Sequence, residues 1–175
     1  LAELKALGLG IVYLGVESGD AATLEAIHKG ARPETLLQAG RRIREAGIRL
    51  SVTVLLGVAG ADRGAVHARA TGELLSAMDP DYVGALSLML IPGTPLHADH
   101  QAGRFRLPDT LGLLRELREM IAHTSLTDGL FHANHASNYL PLRARLPRDH
   151  ARTLALLDEA LAGRVALKPE YLRAL

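Results

Sequence analysis

The 175-residue sequence contains no cysteine and no tryptophan, and only two phenylalanines and four tyrosines. Without cysteine, these residues form no disulfide, offer no thiol nucleophile and hold no metal through thiolate. At 3% aromatic content there is little surface on which nucleobases stack. Neither sign of charge dominates. The 20 Lys and Arg against 19 Asp and Glu leave a formal net charge of +1, so no global field draws in nucleic acid. No apolar run approaches the roughly 20 residues of a membrane-crossing helix. The first ten residues are amphipathic and charged, unlike a secretory leader. The expectation is a soluble, cytoplasmic protein with nucleic acid an unlikely partner. The chain begins with Leu1 and not Met, which suggests a fragment or a processed product.

Apolar material is ample: 48% of the residues are hydrophobic, enough for a sizeable core. Residues 1–7 read as the end of a helix closed by Gly8 and Gly10. Residues 11–16 are a continuous apolar run, as in a buried strand. Asp20 is a candidate N-cap for a short helix over 21–28. Pro33 suits the first turn of a helix that ends at Gly47. A β-branched strand follows over 48–56, a helix over 63–78, and a third strand over 82–90 closed by Pro92-Gly93-Thr94-Pro95. Strands alternating with helices predict βαβ units and a parallel sheet. Beyond residue 96 the pattern turns helical, with helices over 110–123 and 150–162, a short last one over 169–175, and a polar His- and Asn-rich connection over 130–139. Three strands make an incomplete sheet, whose open edge calls for missing strands or a partner chain.

Chemistry-bearing residues gather at the strand ends. In α/β folds with parallel strands, ligands sit at the carboxyl-end rim. Glu17 and Ser18 close the first strand, and Lys29 closes the helix after it. A carboxylate accepts from vicinal ribose hydroxyls, yet it also caps helices. A serine in a turn binds a ligand or its own backbone. A lysine at a helix end meets an anion or complements the helix dipole. Ser51 and Thr53 share one strand face, because side chains alternate with period two. Gly57 permits close backbone approach. His97 and His100, and His132 and His135, are spaced i, i+3 and do not match the His-Glu-x-x-His helix signature. Arg143, Arg145, Arg148 and Arg152 read as a solvated basic face.

Gly15-Val16-Glu17-Ser18-Gly19, Lys29-Gly30, Glu45-Ala46-Gly47-Ile48, the run from Val54 to Gly60, and Ile91-Pro92-Gly93-Thr94-Pro95-Leu96 stand in this order at successive strand ends. Together they resemble the second half of a radical S-adenosylmethionine (radical SAM) domain. The branch most resembled holds the Elongator catalytic subunit, oxygen-independent coproporphyrinogen oxidases and methylthiotransferases. Ala59 stands where that family usually has Pro, and Ala61-Asp62 where it has Glu. The family's three-cysteine loop is missing.

The resemblance implies an α/β fold: the C-terminal portion of a partial (β/α)6 TIM-like barrel with parallel strands over 1–96, plus a helical C-terminal extension over 97–175. It implies S-adenosylmethionine as cofactor and a 4Fe-4S cluster whose ligands lie outside this chain, with reductive cleavage of the cofactor as the reaction. It implies that Glu17 meets the ribose or the amino group, that Ser18 meets the methionine end, and that Lys29 pairs with the methionyl carboxylate. Ser51 and Thr53 would line the barrel. Backbone around Leu56 and Gly57, and around Leu90 and Ile91, would bracket adenine. The substrate is unidentified. The other reading is a non-catalytic binding or structural module that folds with a partner.

Overall fold

A computed structural model describes residues 1–174. Helix α1 (Ala2–Ala6) leads into strand β1 (Ile11–Glu17), and Asp20 then caps helix α2 (Ala21–Ala26) by accepting from the Thr23 amide at 3.1 Å. Helix α3 (Pro33–Glu45) carries proline in its first turn and stops before Gly47, whose φ of +70° reverses the chain into β2 (Arg49–Leu56). Helix α4 (Gly64–Met78) ends at Asp79 and leads to β3 (Tyr82–Ser87). Helix α5 (Pro95–Gln101) and helix α6 (Thr110–Ala122) follow, then β4 (Gly129–His132), β5 (Arg143–Leu146), helix α7 (His150–Leu161) and a 3-10 turn at Glu170–Leu172.

The five strands form one sheet in the order β1-β2-β3-β4-β5. The first three pairings are parallel and the last is antiparallel. A parallel sheet that grows in one direction, with crossovers of one hand, places every connecting helix on the same face. A reversal of order would distribute helices over both faces, as in doubly wound folds. No reversal occurs here, and the burial pattern follows. Leu50, Val52, Val54 and Leu56 of β2 are buried in a single core with Leu36 and Ile43 of α3, Leu75 and Met78 of α4, and Leu117 and Met120 of α6. The alternate residues Ser51, Thr53 and Leu55 are only partly buried, and Tyr13 is 74% exposed. This open face corresponds to the inner wall of a TIM-like barrel.

The sheet differs from the sequence expectation in extent. It continues into 97–175, the segment read as a helical extension, which supplies both β4 and β5. Part of the 130–139 stretch, read as a polar connection, is strand: Leu130, Phe131 and His132 pair with Tyr82, Val83 and Gly84. The strands are four residues each, and neighbouring His and Asn mask their alternation, so local pattern does not announce them. Their tertiary role is clear: Phe131, Ala144 and Leu146 are buried in the same core. The free edges of the sheet are β1 and β5.

Candidate functional site

The end of β1 is irregular. Gly15 pairs with Thr53 but Glu17 pairs with Val54, so Val16 is an extra residue and the strand bulges. Glu17 adopts φ +62°, a left-handed conformation that costs a non-glycine residue about 1–2 kcal/mol. The consequence is directional. The glutamate side chain folds back over Gly15 and does not continue outward: a Cβ on Gly15 would lie 2.6 Å from Glu17 Oε1. Lys29 arrives from the other side, through a turn in which His28 (φ +54°) and Gly30 (φ +71°) are both left-handed. Its Nζ donates to Glu17 Oε1 at 3.1 Å, with both side chains about one-quarter exposed. Glu17 Oε2 has no hydrogen-bond partner among the described residues.

The ladder continues the site across the open face. Gly15, Thr53, Gly84, His132 and Arg143 are successive cross-strand partners, one from each strand. Partners in register project from the same face. A Cβ on Gly84 would meet nothing closer than 4.0 Å, so the floor of the row is open there. Tyr13, Ser51, Tyr82, Leu130 and Arg145 form the adjacent row.

Ser18 lies elsewhere. It is fully buried beneath the sheet end, accepts from the Asp20 amide at 2.9 Å, and its hydroxyl is 2.7 Å from His67 Nδ1. The other ring nitrogen, Nε2, faces Glu116 Oε1 at 3.3 Å but out of line for a hydrogen bond. Glu116 Oε1 in turn accepts from the Gly57 amide at 2.6 Å. The backbone of Gly19 is held from the same helix, donating to Thr71 Oγ1 at 2.8 Å. Ser18, His67 and Glu116 resemble a nucleophile–base–acid chain in composition. Ser18 and His67 are sealed at 0% exposure, so no substrate reaches them, and Glu116 is 2% exposed in the wall of a cavity on the helical side. Their effect is mechanical: they tie the turn after β1 to the turn after β2.

The structure therefore brings together Glu17, Lys29, Ser51 and Thr53 on the open face and sets Ser18 apart in the helical layer. The Leu56 side chain is core, and Gly57 is a close-approach point: with φ +83° its Cβ would lie 2.9 Å from the Leu113 side chain. Leu90 is half-buried beyond the end of β3, and Ile91 is 41% exposed, its carbonyl accepting from Thr94 Oγ1 at 2.8 Å. The cavity, of about 580 Å³, opens between the starts of α4 and α6; Glu116 lines it, and none of the residues predicted from the sequence does. Arg145 pairs with Asp128 at 2.7 Å and Arg148 with Asp149 at 2.9 Å, so half of the arginine cluster is neutralised. His135 is occupied with Ser137 Oγ at 2.9 Å and His100 with the Phe105 carbonyl at 3.0 Å.

Sequence reasoning missed His67, Glu116, and the pairing of His132 with Arg143. A faint signal existed for the first two. His67 and Thr71 stand one helical turn apart beside buried Ala68 and Leu75, and Glu116 interrupts the apolar stripe of Leu113, Leu117 and Met120. The third depends on β4 meeting β5, which no local pattern gives.

No protein-family model matches the sequence, and no curated protein is similar to it. The fold is similar to that of Elp3 from the archaeon Methanocaldococcus infernus, solved with an N-terminal deletion (1-46), at a TM-score of 0.60 and 14% identity. The likeness covers 94% of this chain and 39% of that one, so this chain spans well under half of the neighbour's length. At that identity the shared property is the fold. No helix among the described residues is long and apolar enough to cross a membrane.

Proposed function

We propose that this chain is the S-adenosylmethionine-binding and substrate-side part of a radical SAM enzyme. The observation that carries the reading is the Glu17–Lys29 pair, held on the open sheet face by a left-handed glutamate. Backbone strain maintained by its surroundings is a mark of functional positions. The motif order at the strand ends and the fold shared with archaeal Elp3 support the same reading.

The donor set fits the cofactor. Glu17 Oε2 accepts from the ribose diol, and Lys29 Nζ, a mobile point charge, meets the methionyl carboxylate. Gly15 and Gly84 leave the sheet floor low enough for a nucleoside to approach, with Ser51 and Thr53 presenting hydroxyls along it. The backbone near Gly57 and near Leu90–Ile91 stands at the rim, where adenine would lie. Ser18 acts indirectly, through its bonds to Asp20 and His67, by fixing the turn that aims Glu17. The cofactor supplies a sulfonium whose C–S bond is the one cleaved in this family. A 4Fe-4S cluster does not fit these residues, since the sequence has no thiolate to hold it. Its ligands belong to residues outside this sequence. The open face and the β1 edge are where the rest of such a domain, or a partner chain, would dock.

Isothermal titration calorimetry with S-adenosylmethionine tests the reading. Saturable binding is expected, weakened at least tenfold in Glu17→Ala, which removes the acceptor while leaving the fold intact. Gly15→Ala should weaken it similarly, because the new methyl occupies the place of the carboxylate. Unchanged affinity in both variants would remove the ribose role. The absence of cysteine favours a second reading, a non-catalytic module. A folded chain that takes up no cofactor would support that one.

A further inference from the structure

At the far end of the glycine-floored row stand His132 and Arg143, directly paired across the β4–β5 ladder. Neither side chain makes a hydrogen bond or ion pair among the described residues, and Arg143 is exposed. His132 Nε2 is buried without a partner. Protonation of the ring would place an N–H on that buried nitrogen with nothing to accept it. Burial, and then the Arg143 guanidinium, hold the imidazole below its ordinary pKa. Of the other charges nearby, Arg145 is committed to Asp128 and Asp149 to Arg148, Arg152 lines a hollow that Arg143 also lines, and Gly84, the partner on β3, contributes none. The imidazole and an unpaired guanidinium therefore stand in one row beside the notch left by the absent side chain of Gly84. Thr53 stands on its opposite border, two strand spacings or about 10 Å away.

We propose that this notch binds an oxyanion, a carboxylate or a phosphoryl group, with Arg143 supplying the charge and the His132 imidazole a directional hydrogen bond. A guanidinium presents two parallel N–H groups that match either anion. The imidazole fixes where the anion stops along the row. The site is distinct from the Glu17–Lys29 end and stands whether or not a nucleoside binds there.

NMR of the imidazole C–H signals, with His132 identified by their loss in His132→Gln, tests this with two probes: inorganic phosphate and acetate, titrated separately. A saturable shift of the His132 signals is expected with at least one probe. The pKa of His132 should rise when the anion is bound, since the anion offsets the Arg143 field. Arg143→Gln should weaken the anion at least tenfold, whereas Arg145→Gln should not. Saturation by phosphate alone assigns a phosphoryl group, and by acetate alone a carboxylate. No saturable shift with either, or one that survives Arg143→Gln, overturns the proposal. The probes contain no nucleoside, so this outcome is independent of the cofactor titration.

Discussion

Glu116→Ala should destabilise the protein by about 3 kcal/mol, seen as a lower denaturation midpoint with an unchanged slope against denaturant. Glu116 is 2% exposed and accepts from the Gly57 amide at 2.6 Å. Alanine leaves that amide buried without an acceptor. It also removes the carboxylate that faces His67 Nε2 at 3.3 Å, and it opens a void beside Leu113 and Leu117. The charge need not be kept to keep the bond: Glu116→Gln retains a carbonyl for Gly57 and should lose less than half as much. If the alanine and glutamine variants are equally destabilised, the amide bond is not what holds the turn after β2.

Gly72→Ala should cost about 2 kcal/mol, although alanine is the better helix former. Gly72 is where α4 lies against α6, and a Cβ there would stand 2.5 Å from the Met120 carbonyl oxygen and 2.9 Å from His123. Backbone cannot rotate aside as a side chain does, so the two helices must separate. Separation loosens the packing of Leu75, Met120 and Ile121. Gly10→Ala is the control, because a Cβ there meets nothing within 4 Å and φ is not positive; its stability should stay within about 0.5 kcal/mol of the parent. A wild-type midpoint in Gly72→Ala would mean that the helix pair is packed more loosely than described.

The legible parts of the fold were those written locally. The runs 11–16, 48–56 and 82–90 became β1, β2 and β3, with Asp20, Pro33 and Gly47 marking helix ends where expected. The alternation of Ser51 and Thr53 placed them on one face, and the face they share proved open. What stayed hidden was non-local. β4 and β5 are too short for a period, and they exist because Phe131 and Leu146 complete a core assembled from distant segments. Ser18 read as a neighbour of Glu17, as it is in sequence. Successive residues at a strand end face opposite ways, which sends Glu17 to the open face and Ser18 beneath it.

The left-handed backbone of Glu17 also bears on how such a chain responds to selection. Glycine at that position relieves the conformation while the Lys29 ion pair it removes is partly exposed and weak, so Glu17→Gly should raise stability by about 1 kcal/mol. A library screened for heat resistance alone would then enrich glycine at position 17. A library screened for ligand retention would purge it. The two screens would part company at this residue, and their disagreement would measure how far the chain has been kept from its own thermal optimum by the job of carrying a carboxylate.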